Sequence, residues 1–440
     1  MRDTNWGSRL AAGIFSCALG VAVSGLSVGH AFAGQFNWKA HSGETISFLA
    51  SNNPWTTAIM KSKSDFEKLT GITLRVDTYS EEQMRQRLVT VMNARSNEVD
   101  LFMTQVSREG MQFAAADWYH DLMSLAKSES APGYDFTDLS PALVKAATFN
   151  GVLTGIPLNI AGPVIYYRTD IFRKCKVSPP GTVDDIAKVA AEIKKCDPSI
   201  TPFASRGLKP ALPYTFSVFL HNMGGSYMKD GKSDLCSPEG KKALQTYADL
   251  LKEYGPPGVV NYNFYQLTSL YRAGRSAMSF ESSNELSSIM QNRQRLSDTG
   301  VVPLPKGAGG SHPIAIGWSL AISKFSSHPD AAWYFVQWAT SPKMQAKLAL
   351  EGIAAPRKSA SSDQAYKTWL DEQPVRKQWQ QAIEFLAAHG DSDVAYPIAQ
   401  NPLSRQIIGQ AVDSILLGTA SVDEACKTAD EKADALIKQQ

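Results

Sequence analysis

Apolar and polar positions early in the chain follow two periods in turn. Thr45–Ser51 (TISFLAS) is a short apolar run of strand length, and behind it Ile59, Phe66 and Leu69 share one face of a helical pattern that Gly71 stops. Residues 72–79 then alternate as a strand does. Ser80 and Gln83 form a capping box that opens a helix with Met84, Leu88 and Val91 along one side. Val99–Met103 (VDLFM) is a third apolar run. Strands alternating with helices predict a parallel sheet covered on both faces, so residues 44 to 156 read as a small α/β lobe.

From Gly151 the pattern shifts. The strand-like VLTGIPL leads through Asn159 and Gly162 to the apolar Val164–Tyr167, and Thr169 opens a helix. One further helix is capped by Thr182 and carries Ile186, Val189 and Ile193. Another starts at Ser237-Pro238-Glu239 and carries Leu244, Tyr247 and Leu251, with an Asp230-Gly231 turn between the two. A strand over Ser276–Phe280, a polar helix, the run Val301–Pro305, a Gly-rich loop (Gly307–Gly310) and a strand over Ile314–Ser323 follow. A helix with Ala332, Phe335, Val336 and Ala339 on one face comes next, and the rest is mostly helical. There is no repeat of solenoid length and no Ser/Gly- or Pro-rich tether between the two halves, which predicts that tight crossings join them.

Composition narrows the function classes. With 44 Lys plus Arg against 42 Asp plus Glu, the net charge of +2 creates no field for nucleic acid or for an anionic membrane. The one long apolar stretch is N-terminal. Arg2 and Arg9 precede Leu10–Val28, which ends in Ala31-Phe32-Ala33, the pattern of a secretory signal cleaved after Ala33. Glycines and serines dilute that stretch, which disfavours a retained anchor. Phe15-Ser16 before Cys17 makes a poor lipidation site. Residues 1–33 are therefore expected to be removed on export, leaving a nearly neutral mature protein.

An oxidising compartment changes the reading of Cys175, Cys196, Cys236 and Cys426, for which three full pairings exist beside the alternative of free buried thiols. Cys175 and Cys196 bracket two consecutive helical segments and are expected to pair; a loop of about 20 residues would add roughly 3 kcal/mol in the chain-entropy model. Nothing in the sequence brings Cys236 and Cys426 together. No C-x-x-C, G-x-S-x-G, H-E-x-x-H, P-loop or G-x-G-x-x-G is present, and no two of the histidines after residue 33 stand at ligand spacing on one helix. The acidic pairs Glu81-Glu82 and Asp184-Asp185 fall in helix first turns, where they complement the macrodipole. The sequence thus predicts no catalytic constellation, no metal and no cofactor. It is rich in aromatics instead. An α/β sheet opens its ligand crevice at the carboxyl ends of its strands, which singles out Trp55 after the first strand and Trp318 beside Gly317, where a ligand is expected to approach the backbone closely.

Several segments in a fixed order carry a resemblance: DFEKLTGITLRVDTY (Asp65–Tyr79), VDLFMT (Val99–Thr104), FNGVLTGIPLNIAGPVIYYRTDIF (Phe149–Phe172), RAGRSAMSFE (Arg272–Glu281) and IGWSLAISKFSSHPDAAWYFVQWATSPKMQAKL (Ile316–Leu348). Together they make the chain resemble the extracellular solute-binding proteins of ATP-driven importers, in the carbohydrate-binding group. The resemblance implies a two-lobed periplasmic-binding-protein fold, each lobe a mostly parallel sheet flanked by helices, joined by a hinge of about three crossings. It assigns residues 34–157 plus 302–360 to the N-terminal lobe and 158–301 plus 361–440 to the C-terminal lobe. It implies a monomeric, non-enzymatic periplasmic receptor that closes over a carbohydrate or polyol and presents it to the transmembrane subunits of an ABC permease. A receptor for a polyamine, amino acid or metal, and a secreted glycan hydrolase, are the alternatives. Adjacent tyrosines occur in ferric-binding relatives, but Tyr166-Tyr167 lie on a strand where the family often places such a pair structurally. Sugar rings stack their apolar face on aromatics while their hydroxyls need paired donors and acceptors. Trp55 and Trp318 are the expected stacking residues, Trp318 in the cleft and outside the core; Glu82, Gln105, Asn159, Glu281 and Arg357 are the expected polar contacts.

Overall fold

The computed structural model describes residues 36–439, so the expected signal segment lies outside the described residues. Two sheets organise the chain. The first has five strands in the order Thr73–Tyr79, Thr45–Ser51, Leu101–Thr104, Ser319–Ile322 and Ile156–Pro157. Its first three strands are parallel, with Ile46 opposite Leu74 and Phe48 opposite Leu101. Ser319–Ile322 alone is reversed, antiparallel to both its neighbours, with Leu320 between Met103 and Ile156. The second sheet has the order Thr299–Pro303, Pro163–Arg168, Ser276–Ser282 and Thr201–Ala204, and only its last pairing is parallel. Each sheet is mixed through one reversed strand, Ser319–Ile322 in the first and Pro163–Arg168 in the second, while the remaining strands of each share a direction, in keeping with mostly parallel sheets. A strand buried on both faces reads as one apolar run whichever way it points, so its direction is set by the connections.

Three apolar cores hold these sheets. The first unites the first sheet with Trp333, Phe335 and Val336 of the helix Pro329–Ala339 and with Met344 and Leu348. The second packs one face of the second sheet against the helices Val183–Cys196, Pro213–Asn222, Pro238–Tyr254, Asn401–Leu416 and Val422–Ile437. The third packs the opposite face against Trp369 and Trp379 of the helices Gln364–Asp371 and Pro374–His389. Alternation along Pro163–Arg168 makes the division: Ile165 enters the second core, Val164 and Tyr166 the third.

The chain passes between the sheets in three adjacent segments. Leu158 N donates to Trp318 O (2.8 Å), Ala161 and Ile316 exchange hydrogen bonds of 2.7 and 2.8 Å, and Ile160 N donates to Ala354 O (3.0 Å). Gly162 and Gly317 permit this closeness, because a Cβ would meet Ile314 O at 2.1 Å in the one and Asn159 O at 2.2 Å in the other. Gly317 thus admits the neighbouring crossing, where a ligand had been expected.

Several boundaries differ from the pattern reading. Val302 and Pro303 lie in the second sheet, and Leu304, Ile314 and Ile316 join the second core, so the chain re-enters the first sheet at Ser319 and not at 302. The strand expected over 314–323 is regular only at Ser319–Ile322, because its first half is a crossing. The helix expected behind the first strand is two, Pro54–Met60 and Lys63–Thr70; Ile59 and Phe66 are buried whereas Leu69 is exposed. The Ser80/Gln83 capping box is formed as read.

Both disulfides form. Cys175 and Cys196, the last residues of the helices Thr169–Cys175 and Val183–Cys196, pair with a Cα separation of 5.6 Å, as expected. Cys236 pairs with Cys426 at 5.0 Å across 190 residues, a contact that only the tertiary packing of the second core supplies.

Candidate functional site

Between the two sheets, beside the crossings, lies a cavity of about 50 Å³. Its wall flanks two further recesses of about 340 and 470 Å³: it shares Asn53, Pro54, Phe264 and Glu285 with the first, and Arg108, Ile316 and Gly317 with the second.

Strand ends place the first lobe's contribution. The strand Thr45–Ser51 stops at Asn53, whose side chain accepts from Thr56 N (3.0 Å) and caps a helix with Pro54 in its first turn. That turn puts Trp55 on the cavity wall, nearly fully buried, with an Nε1 that has no hydrogen-bond partner. Gln105 follows the strand Leu101–Thr104 and also lines the wall. After it the chain makes one wide π turn, Val106–Gly110, a distortion found often at functional sites. The turn carries Arg108 to the wall and Glu109 beneath it. Glu109 accepts from Gln105 N (2.7 Å) and from Arg85 Nε (3.2 Å).

The crossings supply Asn159, Ile316, Gly317 and Trp318. Asn159 Oδ1 accepts from Trp318 N (2.9 Å), which leaves its buried Nδ2 unpaired. The Arg85 guanidinium stacks 5.1 Å from the centre of the Trp318 ring. Trp318 belongs to the first core as well as to the cavity wall, so it is not the purely cleft residue expected; Trp55 also belongs to both.

The second lobe adds Arg206, which follows the strand Thr201–Ala204, then Tyr214, Phe264, Ser282, Asn284, Glu285 and, from the helix Asn401–Leu416, Arg405. Glu281 holds Arg206: both of its oxygens accept from Arg206 Nε, at 3.1 and 2.9 Å, and Nη2 bonds Oε1 as well. Burial acts to lower the Arg206 pKa, but the carboxylate more than offsets it and the guanidinium stays charged. Glu82 accepts from Arg108 Nη1 and Nη2 at 3.4 and 3.1 Å, but here burial and the neighbouring Arg85 prevail and the Arg108 pKa falls below its ordinary value; burial opposes ionisation of Glu82, yet Arg108 and Arg85 bring its pKa below the usual value.

Four of the seven residues expected from sequence, Trp55, Gln105, Asn159 and Trp318, therefore meet at the cavity. Glu82 and Glu281 stand one layer back, bonded to the wall arginines Arg108 and Arg206. Arg357 is elsewhere. Its Nε donates to Thr340 O and its Nη1 to Asp135 O, it stacks over Tyr134, and it borders a separate recess with Ile160 and Tyr366. The carbonyls it satisfies tie the last crossing to the first lobe, which is why the side chain turns away from the cavity. Tyr166 and Tyr167 lie on opposite faces of their strand, and the Tyr166 hydroxyl donates to Ser283 O (2.7 Å). The Gly-rich loop packs on the end of the helix Pro213–Asn222, where Gly309 N donates to Asn222 O (2.8 Å).

The sequence reading missed Arg108, Arg206, Glu285 and Arg405. Arg405 had a visible signal, since it falls on the helical stripe of Asn401, Ile408 and Val412, otherwise a core face. Glu285 is the one buried wall carboxyl without a basic partner. Burial first, and then repulsion by Glu281, push it up to about 8, while Thr268 Oγ1 donates to it at 2.6 Å. Unfolded, a glutamate titrates near 4.5, so between that pH and about 8 the native state holds a proton that the unfolded state has lost. Stability contributed at this position is thus present at low pH and declines as pH rises through that window. Glu285→Gln is expected to match the wild type near pH 5 and to exceed it near pH 8 by about 1–3 kcal/mol in urea unfolding. Identical pH slopes for the two proteins would show that Glu285 ionises normally.

Two lobes, three crossings and an interlobe cavity define a cleft-type binding protein. The chain belongs to the bacterial extracellular solute-binding protein family, whose sequence profile matches residues 50–346. A probable ABC transporter-binding protein of Deinococcus radiodurans is 27% identical over 76% of this chain and 80% of its own length. The mannitol-binding protein of Pseudomonas aeruginosa is 27% identical over 72% of this chain and 73% of its own. Among solved structures, a solute-binding protein of Agrobacterium radiobacter K84 in complex with ribitol has a TM-score of 0.79 at 24% identity, covering 90% of this chain and 99% of that one. Among the described residues, no helix is long and apolar enough to cross a membrane, and no three His, Cys, Asp or Glu are grouped to hold a metal ion.

Proposed function

We propose that this protein is the periplasmic receptor of an ATP-driven importer, monomeric and without catalytic activity, that closes on one small polyol or sugar and delivers it to the permease's transmembrane subunits. The observation that carries the reading is a set of buried polar atoms on the cavity wall with no hydrogen-bond partner in the protein: Trp55 Nε1 and Asn159 Nδ2, both donors, and Asn284 Oδ1, an acceptor. A buried polar atom left unpaired costs about 1–3 kcal/mol, and a hydroxyl, which both donates and accepts, answers either kind. The two tryptophans supply the apolar faces that C–H surfaces of such a ligand stack against. The mannitol and ribitol of the two relatives are ligands of that class. Closure works as a signal only if the ligand binds the closed form better than the open one.

A thermal-shift screen over polyols, sugars and amino acids tests the class, since a ligand at 100 times its Kd stabilises the native state by about 2.7 kcal/mol. Turnover of a labelled oligosaccharide would point to a hydrolase instead. Trp55→Phe keeps most of the ring volume and deletes the unpaired donor. It is expected to weaken binding of the best hit by about 1–3 kcal/mol in calorimetric titration with little change in melting temperature. Unchanged affinity would make Trp55 a packing residue only.

A further inference from the structure

Four arginines surround the cavity, and three of them face carboxylates. Arg85 meets Glu109 at 3.2 Å and Glu81 at 3.4 Å, Arg108 meets Glu82 at 3.1 Å, and Arg206 is clasped by Glu281. Among the described residues Arg405 has no such partner. Its side chain is buried, with 3% of the residue exposed, and it lines the cavity; Nε donates to Pro210 O (2.9 Å), and no carboxylate of the described residues pairs with its guanidinium. Burial and the nearby Arg108 and Arg85 hold its pKa well below the ordinary arginine value. Glu82 lies near enough to feel its charge but is bonded to Arg108, Glu81 is engaged by Arg85, and Glu285 bonds Thr268, so none of them pairs with it directly.

A buried cation without a counter-charge is costly, and hydroxyls of a neutral polyol offer it acceptors but no charge. A carboxylate or phosphate offers both, in the two-pronged geometry that suits a guanidinium. We propose that the solute carries an anionic oxygen group on its polyhydroxylated chain, a sugar acid or a phosphorylated polyol, and that Arg405 receives that group. This rests on the polyol or sugar reading above and names the charge of the ligand. The second lobe then reads the acid group while Trp55, Asn159 and Trp318 read the hydroxylated chain, so a ligand lacking either part bridges the lobes less well.

The test is a calorimetric comparison of three probes sharing one carbon skeleton: D-mannitol, D-mannonate and D-mannitol 1-phosphate. One of the two anions is expected to bind at least about tenfold more tightly than mannitol, and which one does so separates carboxylate from phosphate. Arg405→Gln is expected to abolish that preference by weakening the preferred anion at least about tenfold more than it weakens mannitol, and Arg405→Lys is expected to keep part of it. Mannitol binding as tightly as both anions overturns the acid-group proposal and leaves the polyol reading standing. An anion preference that survives in Arg405→Gln overturns the assignment to Arg405. If no polyhydroxylated probe binds, both readings fall. Should Arg405→Gln not fold, the wild-type ranking of the three probes decides the ligand class, and Arg405→Lys decides the residue.

Discussion

Glu281→Ala is expected to destabilise the ligand-free protein by about 3–5 kcal/mol, more than any other single substitution at the cavity. The carboxylate is 1% exposed and bonds Arg206 through both oxygens, while its Oε1 also accepts from Ser282 N at 2.7 Å. Truncation leaves the guanidinium buried between Tyr214 and Phe264, at 4.5 and 5.8 Å from their ring centres, and such faces stabilise a cation by only about 1–2 kcal/mol. The loss comes from an uncompensated charge and not from the hydrogen bonds alone. Glu281→Gln, which keeps an acceptor, should therefore fall between wild type and alanine. The double variant Arg206→Met with Glu281→Leu should recover much of the stability while losing ligand affinity, because Arg206 is on the wall. Urea unfolding of the four proteins measures this. A loss below about 1 kcal/mol in Glu281→Ala would mean that water reaches Arg206 and that the pair is not buried in solution.

That pair shows where sequence reading stops. Glu281 was recognisable because it closes a strand, and strand ends meet the crevice; by the same logic Trp55, Gln105 and Trp318 reach the wall. What the chain does not encode locally is whether a carboxylate at such a place faces a ligand or a neighbouring arginine. The arginines for Glu281 and Glu82 come from other elements, Arg206 after the strand Thr201–Ala204 and Arg108 from the π turn. Arg357 fails for a related reason: the expected segment does cross near the cavity, but open carbonyls at Asp135 and Thr340 capture its side chain. Apolar runs located the strands well and left their direction undetermined. The antiparallel placement of Ser319–Ile322 follows from the chain returning through the hinge, a non-local fact. Arg405 is the converse case, a charge on a core stripe that periodicity alone could have flagged.

Replacing Cys236 and Cys426 together by serine is expected to lower the unfolding free energy by about 5 kcal/mol, against about 3 for the pair Cys175 and Cys196. In the chain-entropy model the difference lies in the unfolded state, since the first bridge closes 190 residues and the second 21. The long bridge fixes the helix Val422–Ile437 against the segment that leads into Pro238–Tyr254. Hydrogen bonds at the same place, from Cys236 N to Asp430 (3.2 Å) and from Ser233 N to Asp434 (2.8 Å), remain when the sulfurs go. The native contacts thus survive and the loss registers as freedom gained by the unfolded chain. Because neither cysteine lines the cavity, affinity for the solute at low temperature should be unchanged in the double variant even as its melting temperature drops. Urea unfolding and calorimetric titration of both double variants separate the two effects. If the long-loop variant loses no more stability than the short-loop one, loop length is not what the Cys236–Cys426 bridge contributes, and its role is the local clamping of the C-terminal helix.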